Sequence, residues 1–468
     1  MPRRAALLSA TLPALALAAC ADHRPVERRA LNAARRAVDR TTWQGEANIT
    51  DPTQECTYYD YAPVNNIVNT YPEIWETATL SSAGIADEPK QLFASINQSI
   101  PNIAPRGDRE GNFQGVSYDG TTDPDCWWSY TRCDKPKMKG LNADITRCPE
   151  PNTWGFTLDD GPNCTHNAYY DYLQTIDQKA TLFYIGSNVL DWPLEAQRGL
   201  ADGHEICAHT WSHPYMTSMT NEEAFAELYF SKKAIFDILG VTVRCWRPPY
   251  GDVDDRIRFI AQALDMRTVV WNEDTDDYNW VTLGMDAIRK NYQGILNKQA
   301  AGKYNASGVI VLSHELNNGT MALSEEFLPQ IRKQFTGGVV PVAVCLNNTQ
   351  PYAETSAYTY PNYAQYVAGT HSISLAAPTA AGAASETLAT ASGSYGAQTG
   401  APASASSTGT SSSMLTQVAS AASAQSSTSA SGATAVAQHN TSGATSLSSL
   451  GGLAAMVAGA LAGAAALA

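Results

Sequence analysis

Clustered positive charge is what this chain of 468 residues has least of. Its 31 Lys and Arg are outnumbered by 45 Asp and Glu, giving a net charge of −14, and they form no dense run. Neutralising phosphates needs such runs, so nucleic acid is excluded as the main partner. Charge of either sign is scarce too, at 16% of residues, because a long uncharged tail dilutes it. The apolar run Ala5–Ala19 is short for a bilayer span, and Pro13 interrupts it. Preceded by Arg3 and Arg4 and followed by small residues around Cys20, it reads as a secretory signal peptide over residues 1–21. A bacterial lipoprotein box at Leu17–Cys20 is the competing reading. Either removes Cys20 and leaves Cys56, Cys126, Cys133, Cys148, Cys164, Cys207, Cys245 and Cys345, an even set suited to bridges in an oxidising compartment.

The far end is equally poor in folding signals. Residues 373–449 are mostly Ala, Ser, Thr and Gly, which cannot bury enough apolar surface to form a core, so they read as an unfolded, O-glycosylated stalk. Leu450–Ala468 is uncharged and largely apolar, and no positive charge follows it. Small residues around Asn440, Ser442 and Gly443 precede it, completing a GPI-attachment signal. A tail-anchor helix or plain low complexity is the blander reading. Seven N-x-S/T sequons, at Asn48, Asn97, Asn163, Asn305, Asn318, Asn347 and Asn440, fit a eukaryotic secretory route to the cell surface.

Between these ends the texture changes near residue 150. Residues 22–150 lack clear periodicity and are expected to form an irregular, disulfide-tied extension whose first part, Arg24–Arg40, is basic. Trp127 and Trp128 there suit internal packing better than stacking on sugar rings. Residues 151–346 alternate strand-like and helix-like runs. The strands expected are Trp154–Leu158, Ala180–Ile185, Glu205–Ala208, Val241–Trp246, Thr268–Trp271, Val309–Leu312 and Val339–Cys345. Asn221–Leu239 is the clearest helix, with Ala224, Leu228, Ile235 and Leu239 on one face and Gly240 closing it. Asp254–Leu264 and Leu283–Gln299 behave alike. This predicts an α/β fold, a distorted (β/α) barrel of about seven parallel strands, with an open doubly wound sheet as the alternative. Residues 347–372 form a short C-terminal extension.

Unusual chemistry follows nearly every predicted strand: Asp159-Asp160-Gly161-Pro162, His209-Thr210-Trp211-Ser212-His213, Arg247-Pro248-Pro249-Tyr250-Gly251, Asp274-Thr275-Asp276-Asp277 and Ser313-His314-Glu315. In a barrel these ends share one rim, where active sites are built. His209 and His213, four apart, would share a face of one helical turn. With one carboxylate they make a His₂Asp set, the usual ligand count for catalytic zinc. The neighbouring carboxylate is then free to act as a base.

The runs Thr157–Pro162, His209-Thr210-x-x-His213, Arg247–Gly251 and Ile310–His314 resemble, in order, the motifs of the polysaccharide deacetylases, carbohydrate esterase family 4. Cys245–Arg256 is similar to fungal chitin deacetylases in particular. The resemblance covers about residues 150–346. It implies that Asp160, His209 and His213 bind a divalent metal, usually Zn²⁺ with Co²⁺ or Mn²⁺ as alternatives. It also implies Asp159 as general base, Arg247 as its tuning partner, the Tyr250 backbone N–H as oxyanion donor, His314 as general acid and Leu312 as the lining of the acetyl-methyl pocket. Two departures stand out. Leu158 replaces the commoner Phe. Where the family has Asp-Trp, this chain has Asp277-Tyr278 with Trp280 further on, so either aromatic could wall the groove, and Asp277 is preferred to Asp274 as the partner of His314.

The implied protein is a monomeric, metal-dependent deacetylase acting on chitin or its oligomers, secreted and GPI-anchored at the plasma membrane and cell-wall matrix. Peptidoglycan or acetylated xylan is the alternative substrate. A non-catalytic chitin-binding wall glycoprotein is the alternative of a different class.

Overall fold

The computed structural model describes residues 39–355, 358–370 and 373. The expected signal peptide, stalk and GPI signal, with Asn440, Ser442 and Gly443, lie outside the described residues. Eight parallel strands form the centre: β1 Thr153–Gly161, β2 Thr181–Tyr184, β3 Glu205–Ala208, β4 Cys245–Trp246, β5 Arg267–Thr268, β6 Glu273–Asp274, β7 Val309–Leu312 and β8 Gly338–Val340. Seven run in the order β5-β4-β3-β2-β1-β7-β6, and β8 joins the lower half of β1. That order is cyclic: β1 to β5 follow one another, β6 pairs with β7, β7 closes back on β1, and the direction of travel never reverses. A doubly wound sheet reverses at its switch point, so the observed order is that of a barrel. The seam falls between β5 and β6, where Ile145 of the N-terminal segment bridges Val269 instead.

The strands are short, buried and rich in β-branched and aromatic residues, as expected of a sheet covered on its outer face by helices. The helix Asn221–Leu239 has the predicted bounds. A capping box of Thr220 with Glu223 starts it, and Gly240, at φ 73°, ends it. Ala224, Leu228, Ile235 and Leu239 are all fully buried. Other expectations shift. Val241–Trp246 narrows to Cys245–Trp246, and Thr268–Trp271 becomes Arg267–Thr268. Val339–Cys345 divides at Pro341, which lacks the N–H a ladder needs, into β8 and the short helix Val342–Cys345.

Residues 39–150 contain only short helices, the longest being Asp87–Asn97, yet they are bonded throughout to the barrel. Among the described residues all eight cysteines pair, as Cys56–Cys164, Cys126–Cys133, Cys148–Cys345 and Cys207–Cys245. The first and third tie this segment to the barrel. Trp127 and Trp128 are each 2% exposed, so they pack rather than offer a sugar platform. Asp252 takes hydrogen bonds from Trp127 Nε1, Ser129 Oγ and Thr217. Asp254 pairs with Arg106, and Asp255 accepts from the Lys137 and Met138 amides. The acidic run Asp252–Asp255 is thus the floor on which the segment docks. Among the described residues, no helix is long and apolar enough to cross a membrane.

Candidate active site

Strand β1 delivers two adjacent carboxylates to the rim. In a regular strand they would point to opposite faces, but the register with β2 slips between Asp159 and Gly161, and Asp160 takes φ 71°. This bulge turns both side chains toward His209. Asp159 Oδ2 lies 3.8 Å and Asp160 Oδ1 3.4 Å from His209 Nε2, and Asp160 Oδ1 lies 3.2 Å from His213 Nε2.

The histidines are not held by a helical turn, as their spacing had suggested. Residues 209–213 form a bend, with Thr210 at φ 66° and His213 at φ 58°. A buried carboxylate, Glu227, takes the Trp211 and Ser212 amides at 2.9 and 2.8 Å; in a helix those amides would point back up the chain instead. Asp160, Thr210, His213 and Tyr250 (φ 58°) all occupy the left-handed region, each at a cost of about 1–3 kcal/mol that the surrounding structure must supply.

Asp160, His209 and His213 present one ligand atom each within 4.8 Å of one another. His209 Nδ1 lies 2.8 Å from the Arg247 carbonyl, which can only accept, so Nδ1 carries a proton and the ring is held with Nε2 facing Asp160. Asp160 Oδ1 is buried and lacks a hydrogen-bond partner. A buried carboxylate oxygen without a hydrogen-bond partner, facing two imidazole nitrogens, is a setting for a cation, and the donor set suits a divalent metal. Burial opposes the Asp160 charge, but His213 and His209 more than compensate, and the carboxyl falls well below its usual range.

Arg247, fully buried, donates from Nη1 to Asp159 Oδ1 at 2.6 Å and to Thr157 Oγ1 at 2.8 Å. Burial depresses the guanidinium while Asp159 supports its charge. Across the rim, Asp277 Oδ1 meets His314 Nδ1 at 2.5 Å, and its Oδ2 accepts the His314 backbone N–H at 2.9 Å. Burial disfavours His314's charged form, but Asp277, aided by Asp160 and Asp159, outweighs it and pushes the ring up to about 10. Asp274 instead accepts the Asp276 amide. The β6 strand containing it reads in sequence only as an acidic loop.

Tyr278 sets its ring 5.3 Å from His314, edge to face, and is 43% exposed. Trp280 turns away to donate to Asn317 and packs over Gly319. Tyr250 stacks on Tyr215 at 3.9 Å and meets His213 at 4.8 Å. Leu158 is fully buried in β1, and Leu312 is 5% exposed at the end of β7. Sequence reasoning gave no role to Thr157 or Glu227; the signal for Glu227 was an acidic residue on the apolar side of its helix, beside Leu228. Of the candidate glycosylation sites, Asn48, Asn305, Asn318 and Asn347 are exposed and Asn97 is half-buried. Asn163 spends its amide on the Leu316 carbonyl.

A parallel barrel whose C-terminal rim holds a metal-type His₂Asp set between a carboxylate–arginine pair and a histidine–carboxylate pair defines the class: a metal-dependent hydrolase of the (β/α) type. Residues 146–269 match the polysaccharide deacetylase family. The chain is 49% identical over 347 residues to chitin deacetylase 2 of Cryptococcus neoformans var. grubii, covering 73% of this chain and 75% of that one. It is 48% identical over 314 residues to the chitin deacetylase of Amylomyces rouxii, covering 66% and 74%. A solved structure, the chitin deacetylase of Colletotrichum lindemuthianum, is 24% identical with a TM-score of 0.42 over 45% of this chain and 96% of that one. The chain belongs to the polysaccharide deacetylase family.

Proposed function

We propose that this protein hydrolyses the N-acetyl groups of N-acetylglucosamine residues in chitin, releasing acetate and leaving chitosan, at the cell surface. The relatives named for that reaction support the substrate. The observation that carries the chemistry is the convergence of Asp160, His209 and His213 on one buried point between Asp159 and His314.

Asp160, His209 and His213 would hold a divalent metal, most simply Zn²⁺. When bound, it supplies Lewis-acid polarisation of the acetyl carbonyl and acidifies water. Asp159, oriented by Arg247, takes a proton from the attacking water. The backbone N–H of Tyr250, the residue whose ring meets His213, donates to the developing oxyanion. His314, held charged by Asp277, delivers a proton to the departing sugar amine as the C–N bond breaks. Leu312 packs against the acetyl methyl, and Tyr278 supports the sugar face. The four disulfides and the exposed sequons support secretion as a glycoprotein, and the sequence signals at the two ends support GPI anchorage.

Acetate release from chitin oligomers by the full chain, with chelator and then with added zinc, tests the proposal. Release that chelator stops and zinc restores is expected. Release from peptidoglycan or acetylated xylan but not from chitin would reassign the polymer, and release indifferent to chelator would remove the metal from the reaction.

A further inference from the structure

Of the three residues between the two metal-ligand candidates on the third rim loop, Trp211 and Ser212 are both buried. Their backbone amides, together with the Ser212 hydroxyl, converge on one side chain. Glu227 Oε2 accepts Trp211 N at 2.9 Å and Ser212 N at 2.8 Å; Oε1 accepts Ser212 Oγ at 2.7 Å and, from the N-terminal segment, Ala78 N at 2.9 Å. Four donors thus occupy the carboxylate, the full complement of its oxygens. Glu227 itself is fully buried on the helix Asn221–Leu239.

The N-terminal segment closes the loop from the other side. Tyr71 stacks on Trp211 at 5.4 Å, and the Trp211 indole N–H donates to the Glu73 carbonyl at 3.0 Å. Ser187 Oγ donates to the Trp211 carbonyl at 2.7 Å and accepts the Trp75 amide at 2.9 Å. The bend between the two histidines therefore has a partner on every side, and none of those partners is a ligand.

We infer that Glu227, clamped to the Ala78 amide of the N-terminal segment, is a positioning residue that fixes the His209–His213 loop for metal binding. The inference rests on reading Asp160, His209 and His213 as the metal ligands. A carboxylate alone can accept all four donors; the isosteric amide of Gln has one accepting oxygen and an NH₂ that would face N–H groups. Residues that orient ligands in this way change metal affinity without touching the metal.

The test uses the full chain and Glu227→Gln. Zinc affinity is measured by competition with a chromophoric chelator, and the ligand field by the visible absorption of the Co²⁺-loaded protein. Zinc affinity about 10–100-fold weaker, with displaced Co²⁺ bands, is expected. Unchanged affinity and an unchanged Co²⁺ spectrum overturn the inference. Ser212→Ala removes one of the four bonds and should give a smaller loss of the same sign; should Glu227→Gln not fold, unchanged affinity in Ser212→Ala overturns the inference by itself. Asp160→Asn marks the site. If the unaltered chain binds no zinc, both the ligand assignment and the inference fall; if it binds zinc and only Glu227→Gln is silent, the ligand assignment stands.

Discussion

Asp159 and Asp160 are neighbours in the chain but belong to different partners: Arg247 Nη1 holds the first at 2.6 Å, and the two histidine Nε2 atoms face the second at 3.4 and 3.2 Å. The bulge in β1 brings them to one site without merging their environments. Two carboxylates kept apart in this way can take separate tasks in one reaction.

Replacing Asp159 with Asn should separate those tasks. Turnover is expected to fall on the order of 10²–10⁴-fold, while bound zinc, measured by elemental analysis after dialysis, stays near one per chain. Loss of zinc as well would make Asp159 a ligand.

Asp277→Asn should act through pH. His314 is raised in the folded protein, so its stabilising contribution is complete below its ordinary value of about 6.5 and is lost as pH rises toward about 10. Melting temperature should therefore decline across that window, and Asp277→Asn should flatten the decline. The same variant should move the alkaline limb of kcat down by about 1–3 units, because the proposed acid acts through the protonated ring. An unmoved limb would reject His314 as the acid.

Gly251→Ala probes the contact between the rim and the N-terminal segment. Gly251 has φ +68°, and an added Cβ would fall 2.0 Å from the Trp128 ring. About 1–3 kcal/mol of destabilisation is expected from overpacking, read from denaturant unfolding. Turnover should drop too, because Tyr250 precedes it directly.

The Cys148–Cys345 bridge joins residues 197 apart. Replacing both with Ser should cost about 2–5 kcal/mol, seen as a lowered melting temperature, with zinc affinity unchanged because neither residue lies near the ligands in the fold.

Much of the site was legible because its residues sit at strand ends, where local texture and chemistry coincide. Asp160, His209, Arg247 and His314 each follow a run that reads as a strand. The helix Asn221–Leu239 was legible to the residue because its apolar face, from Ala224 to Leu239, and the closing Gly240 are local signals. What was hidden depends on partners far away in sequence. Nothing near His209 announces that the bend after it is made by Glu227, which in turn answers to Ala78, 149 positions earlier in the chain. Likewise β6 is an acidic pair whose strand character comes only from its pairing with β7. The burial of Trp127 and Trp128 is decided by Asp252 and Val253.

The pattern of bridges also bears on how the chain is made. Synthesis runs from the N-terminus, so Cys126 and Cys133, seven residues apart, can join almost at once. Cys56 must wait for Cys164, and Cys148 must remain a thiol while nearly two hundred further residues emerge before Cys345 arrives. During that wait Cys164, Cys207 and Cys245 come within reach and offer wrong partners. Reaching this set of bridges therefore rests on an oxidising compartment able to reshuffle thiols until the last strand, β8, has taken its place beside the first.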